Sequence, residues 1–266
     1  MRFDDVLALL VSTNWAMPEP LHVERVTELA PRFSYILVNK FRQQRSRLTA
    51  FVNGIRMNIL QNNPYHLLGV YSNSPTRERL VNHNRMKAFL KVGKSVSFPL
   101  DLPQHLASIN RTDISVTDAE AKLTLPKDQM LYAQFWFVKT TPLDEVAFNH
   151  LIAEEIDKAE EIWRKRECAS SLQNRIVCAL IHKNYDCAIT CAEILYGNTL
   201  YVNQLTSAII GIGGNLDITT LAFSFLDVLC DEIGASKLLP FITNRTWKNH
   251  IGEKAVKPLV DNIQPK

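Results

Sequence analysis

The sequence predicts an all-α protein, and three observations carry that prediction. Apolar residues recur at helical spacing in one segment after another. Pro, Ser, Thr or Asp stands ahead of several of these segments, where helix caps belong. Gly is scarce, nine in 266 residues, so the breaks between helices are short rather than long linkers. A chain of this length exceeds the usual size of one core, so two modules are expected, and its 46% hydrophobic, 21% charged composition is that of a chain folded throughout.

Residues 1–56 read as a helical appendage, with helices before Pro18, from Leu21 and after Pro31. Lys40, Arg42, Arg45, Arg47 and Arg56 follow one another with no acid among them and read as a solvated helical face. Met57 stands at the start of the more regular segment, which makes it an alternative start.

From 57 to 139 four short helices are expected. Pro64 to Val70 gives a single turn closed by Gly69. Ser74 and Pro75 then offer a cap and a first-turn proline for a helix running to about Lys91, with Glu78 near its positive end. Arg77, Arg79, Arg85, Lys87, Lys91 and Lys94 make its polar face strongly basic. Pro99 and Pro103 keep the following stretch, Phe98 to Pro103, out of a helix. Thr112 or Asp113 caps a third helix bearing Ile114, Val116, Ala119 and Leu123. After Pro126 a fourth helix is expected to carry Met130 through Val138, apolar nearly all round and so buried between two neighbours.

The order Tyr65-His66-Leu67-Leu68-Gly69-Val70, basic helix, proline-aspartate loop, Asp118 to Leu123 and Pro126-Lys127-Asp128 with Tyr132 resembles the J-domain of heat-shock co-chaperones. The resemblance covers about 75 residues. Ala88 to Lys94, the Phe98 to Asp101 loop and Tyr132 to Phe137 are also similar to an uncharacterised bacterial family commonly labelled J-domain chaperones. The J-domain resemblance implies a basic helix that docks on a heat-shock ATPase and a His-Pro-Asp loop that triggers hydrolysis. Here Pro99 and Asp101 are present, but Leu100 intervenes and no histidine is adjacent. No other side chain of the loop offers a ring with donor and acceptor faces, so the trigger is expected to be dead while the basic helix retains its charge for docking.

Residues 140–266 read as helix-turn-helix units. Asp144 to Leu151 pairs with Ile156 to Trp163, and Leu172 to Val177 pairs with Lys183 to Ile189. The second unit resembles a tetratricopeptide unit, with the small Ala188 where helices cross. Ala159 and Ala188 stand 29 residues apart, short of that family's period of roughly 34, so the array is expected to be irregular. Helices are further expected around Tyr201 to Ile210, Asp217 to Ile233 and Lys254 to Ile263. Stacked helix pairs of this type leave a concave groove.

No residue pattern points to catalysis. Cys187 and Cys191, with His182 a turn earlier, read as core packing rather than a metal site, because no second ligand cluster accompanies them. Gly211 to Asn215 lacks the Lys-Ser/Thr of a phosphate loop. Glu154-Glu155 and Glu160-Glu161 read as solvated, with Glu154 and Lys158 forming an i,i+4 pair. The five cysteines form no framework spacing, which fits reduced thiols in the cytoplasm. The early apolar run is too short for a signal peptide, and no run reaches the length of a membrane span. A net charge of +3 is too small to point to nucleic acid.

The expectation is therefore a J-domain-like helical module followed by an irregular tetratricopeptide-like array. It is neither an enzyme nor a cofactor protein, and acts as an adaptor that binds a protein partner, with a heat-shock ATPase as the implied class. The expected partner-binding residues are Arg77, Arg79, Arg85, Lys87, Lys91, Lys94, Pro99 and Asp101. The alternative is a peptide- or protein-binding scaffold unrelated to chaperones.

Overall fold

The computed structural model describes residues 58–211 and 216–261. The expectations for residues 1–56 and for Ile212 to Asn215 lie outside these residues. The described residues form helices α1 (Asn58–Gln61), α2 (Pro64–Leu68), α3 (Thr76–Lys91), α4 (Asp113–Lys122), α5 (Pro126–Ala133), α6 (Pro142–Ile152), α7 (Ile156–Arg164), α8 (Ala169–Ile181), α9 (Tyr185–Gly197), α10 (Thr199–Ile210), α11 (Ile218–Ile233), α12 (Ala235–Leu238) and α13 (Arg245–Asp261). Two 3-10 turns, Pro99–Asp101 and Leu239–Phe241, complete them. The class is all-α, and no strand occurs among the described residues.

Local chemistry sets most helix ends. The Thr112 hydroxyl accepts the Ser115 N–H at 3.1 Å while the Ser115 hydroxyl accepts the Thr112 N–H at 2.9 Å, a reciprocal cap that starts α4. Ser74 does not cap α3: the helix begins at Thr76, with extended Pro75 ahead of it and no side-chain cap. Helices α2, α3, α6 and α8 all end with a left-handed residue, Gly69, Gly93, Glu154 or Lys183, and the same pair of backbone bonds reaching back into the last turn. In α6 these run from Glu155 to His150 and from Glu154 to Leu151; in α8, from Asn184 to Ala179 and from Lys183 to Leu180. Glu154 and Lys183 are 29 residues apart, the same interval as Ala159 and Ala188, both fully buried. The hairpins α6-α7 and α8-α9 thus share one register, and α8 packs against both α7 and α9.

Gly69 meets two constraints at once. Its φ of 65° suits glycine, and a Cβ there would stand 2.1 Å from Cγ of Phe98, so no side chain fits without displacing that ring.

The fourth helix of the expected module is shorter than its apolar pattern suggests. α5 stops at Ala133, and Phe135, Trp136, Phe137 and Val138 continue as a fully buried non-helical connector. Its backbone groups lie too deep for water, so side-chain amides and hydroxyls take them. Gln173 Nε2 donates to the carbonyls of Ala133, Gln134 and Trp136 at 3.1, 2.8 and 3.3 Å. Asn174 both donates to the Val138 carbonyl and accepts its N–H, each at 2.9 Å. Asn63 Nδ2 donates to the carbonyls of Tyr132 and Phe135, and the Ser72 N–H and hydroxyl both donate to that of Phe137. The helix reading failed because Phe135 to Val138 are all apolar, a pattern that signals burial without fixing the backbone.

This connector also removes the expected boundary at 139/140 as a division between cores. Trp136 stacks on His66 and its indole N–H donates to the Val70 carbonyl at 2.9 Å, whereas Phe137 packs edge-on to Phe148 and Phe135 stacks on Phe225. The buried apolar residues form one cluster from Leu60 to Ile251.

Candidate docking surface

The basic helix and its loop are built on α2, α3 and α4. Arg79 lies 3.9 Å from Glu120 and Lys87 lies 3.6 Å from Asp113, so the start of α3 faces the end of α4 and the two run antiparallel. Met86 and Arg79 face inward.

The expected partner-binding residues divide into two groups. Arg77, Arg85, Lys91 and Lys94 are exposed and form no ion pair among the described residues, and Pro99 is exposed as well. Lys87 is half-buried between Asp113 and the Thr117 hydroxyl. Arg79 and Asp101 point inward. Arg79 is 5% exposed beside Glu120, a role in packing that the count of basic residues could not reveal. Asp101 accepts from both terminal nitrogens of Arg111, at 2.6 and 2.9 Å, and from the Phe98 N–H at 3.0 Å.

Arg111 organises the loop, and sequence reading missed it because one arginine between Asn110 and Thr112 carries no pattern. Its five N–H groups are all engaged: Nε with the Leu67 carbonyl at 2.8 Å, Nη1 with Val96 and Asp101, and Nη2 with His66 and Asp101. The guanidinium also lies 4.9 Å from the centre of the Phe98 ring, which in turn covers Gly69. The planar fork thus ties the single-turn helix α2 to the 3-10 turn, and Leu100 and Leu102 bury beneath it.

Exposed apolar side chains lie among the free cations. Val81 is 56% exposed and Val92 68%, with Leu80 and Phe89 also uncovered, and Arg85 sits 5.7 Å from the centre of the Phe89 ring. The outward face of α3 is therefore mixed: positive charge to attract a partner and apolar surface to bury against it.

His66 is fully buried under this surface. Its Nδ1 lies 3.2 Å from both the Leu60 and Gln61 carbonyls and its Nε2 has no partner. Burial pushes its pKa down to about 4; the nearby Asp101 raises it and Arg111 lowers it further. The unfolded chain, with an ordinary value of 6.5, therefore takes up this proton first as pH falls. The associated stability is intact above about pH 6.5 and is lost towards pH 4, by about 3 kcal/mol in all. Urea midpoints at neutral pH and near pH 4.5 should show this loss in the natural chain and a shallower one in His66→Gln; equal slopes would remove His66 from the account.

Elsewhere, an open pocket of about 230 Å³ lies between the starts of α6 and α8 and the middle of α10, lined by Thr140, Thr141, Arg166, Ser170 and Gln204 among others. Of the acids expected to be solvated, Glu161 is exposed and Glu155 well exposed, whereas Glu154 and Glu160 are not. Glu154 faces His105 at 3.4 Å and lies ahead of α7, so its pairing with Lys158 does not form; Glu155 takes Lys158 at 2.6 Å instead. Glu160 is buried and binds Arg164 at 2.8 Å. No group of three or more His, Cys, Asp or Glu among the described residues could hold a metal ion, and no helix among them is long and apolar enough to cross a membrane. Comparison of the chain with protein-family models, with curated proteins and with solved structures finds no match.

Proposed function

We propose that this chain is a cytoplasmic protein-binding adaptor that docks an acidic surface of its partner on the outward face of α3, with a heat-shock ATPase as the partner class that the J-domain resemblance implies. The observation that carries the reading is the set of exposed cations, Arg77, Arg85, Lys91 and Lys94, without ion pairs among the described residues and interleaved with exposed Leu80, Val81 and Val92. Charge of this kind steers encounter, and the apolar residues supply surface to be buried once contact is made. The antiparallel packing of α3 and α4 supports the resemblance, as does the turn at Gly69. Asp101 does not act as a trigger in this reading, because Arg111 holds both of its oxygens.

Charge reversal tests it. Arg85→Glu with Lys91→Glu should weaken binding to a purified heat-shock ATPase by at least about tenfold at low salt, with little change in stability because both side chains are exposed and neither forms an ion pair or hydrogen bond among the described residues. Titration calorimetry with and without ATP gives the affinity. Undetectable binding by the natural chain, or binding indifferent to the reversal, would remove the proposal. The open pocket at Arg166 and Gln204 favours a second reading, a peptide-binding scaffold unrelated to chaperones, in which α3 reversal leaves binding intact.

A further inference from the structure

The open cavity at the starts of α6 and α8 is polar on most sides, and its charge balance favours an anion. Among the described residues Arg166 is the one charged side chain in its wall; it is exposed and forms no ion pair among them. Ser170, also in the wall, is 2% exposed, yet its hydroxyl reaches only the Cys168 sulfur at 3.5 Å, a weak partner. The carbonyl four residues back, which a helical serine commonly takes, is that of Arg166, and the Ser171 hydroxyl occupies it at 2.7 Å. The N–H groups of Ala169 and Ser170 open the 13-residue helix α8 and have no partner among the described residues, although both residues are buried. A buried donor without a good acceptor is costly, and here three border one cavity beside a guanidinium without a counter-ion. On the α6 side Asp144 takes the N–H groups of Thr140 and Thr141, so those donors are closed to an anion and α8 carries the site. Glu167, next to Arg166 in the chain, is turned to the Tyr201 hydroxyl at 3.3 Å and is not part of the wall.

We propose that this cavity binds the phosphate group of a small phosphomonoester. Two adjacent backbone N–H groups, a hydroxyl and a planar guanidinium supply donors for three terminal oxygens, whereas a carboxylate would leave part of the set unused. The cavity, about 230 Å³, holds roughly seven waters at about 30 Å³ each, which is space for a phosphate and a few further atoms. The Gln204 amide and the Thr140 hydroxyl, also in the wall, suit hydroxyls on the rest of the ligand. A longer ligand has no path along this face of α8. One turn on, Gln173 and Asn174 already hold the connector by its backbone, Asn174 both donating to and accepting from Val138. An extended peptide leaving the cavity that way would meet Phe135 to Val138, which are fully buried. The site is independent of α3, so its failure leaves the adaptor reading standing.

Cys168 reports on the site, because it is partly exposed and lines the same cavity. In the full-length chain, inorganic phosphate and glycerol phosphate should each slow iodoacetamide alkylation of Cys168 relative to chloride at equal ionic strength, with Cys230 as the unaffected control. Peptide mass spectrometry reads both sites, and titration calorimetry with inorganic phosphate gives the affinity without relying on the thiol. Glycerol phosphate should protect at the lower concentration. Arg166→Gln should weaken phosphate binding by about tenfold and Ser170→Ala by about three- to tenfold, the worth of a charge-assisted and an ordinary hydrogen bond. Absence of both protection and binding heat would overturn the proposal, as would phosphate binding that Arg166→Gln leaves intact. Acetate protecting as well as phosphate would also overturn it, in favour of a carboxylate site such as a peptide end would fill.

Discussion

Replacing Arg111 by Met should destabilise the protein by about 3 to 5 kcal/mol, the cost of leaving a buried partner charge uncompensated. The substitution removes five hydrogen bonds, three to backbone carbonyls of Leu67, Val96 and His66 and two to Asp101, and leaves the Asp101 carboxylate with only the Phe98 N–H of its donors. Lysine at the same position keeps the charge but has no planar fork, so Arg111→Lys should recover less than half of the loss. Because a buried ion pair exchanges well for apolar side chains, Arg111→Met combined with Asp101→Leu should be more stable than Arg111→Met alone. Urea denaturation of the four proteins measures all three statements. A double variant no better than the single one would show that the carbonyl contacts, rather than the stranded carboxylate, set the cost. The same series separates folding from docking: the exposed α3 cations do not contact Arg111, so a binding defect that follows stability belongs to the loop.

Asp144→Ala should cost about 3 to 4 kcal/mol, because it orphans several buried donors together. Asp144 is fully buried, and no cation pairs with it among the described residues. Its charge is met by hydrogen bonds alone. One oxygen accepts the N–H groups of Thr140 and Thr141 at 3.0 and 2.8 Å and the Thr141 hydroxyl at 2.9 Å; the other accepts Trp163 Nε1–H at 3.0 Å and Asn174 Nδ2–H at 3.3 Å. It also stands in the first turn of α6, at the favourable end of the helix. Asp144→Asn preserves shape but places an amide donor against donors on one side, so it should cost nearly as much as alanine. Chemical denaturation gives the magnitude, and Trp163 fluorescence reports whether the indole has lost its partner. Full stability in Asp144→Asn would mean that the carboxylate charge contributes nothing here.

Asp144 joins α6 to α8 through Asn174, which also pairs with the connector at Val138. Damage at either residue should therefore reach both the α6-α7 hairpin and the connector between α5 and α6. The helix pattern made Asp144 look like an ordinary first-turn acid, and nothing near it in the chain announces Trp163 or Asn174 as partners.

What the sequence determined by itself was local. Helical spacing, the Thr112 cap, Pro126 and Gly69 placed α2, α4 and the start of α5, because each depends on residues within a few positions of one another. The basic character of α3 and the units α6-α7 and α8-α9 were legible for the same reason. What the tertiary structure decided rests on contacts between distant residues. Whether Phe135 to Val138 is a helix or a connector depends on Asn63, Ser72, Gln173 and Asn174, all more than 30 residues away. Whether a cation on α3 faces solvent depends on what stands opposite, Glu120 for Arg79 and nothing among the described residues for Arg85. Whether Asp101 is free depends on one arginine ten residues later. Spacing along a chain fixes which face of a helix a side chain occupies, but only packing sets the polar partner it meets, and in a buried site that partner determines the role.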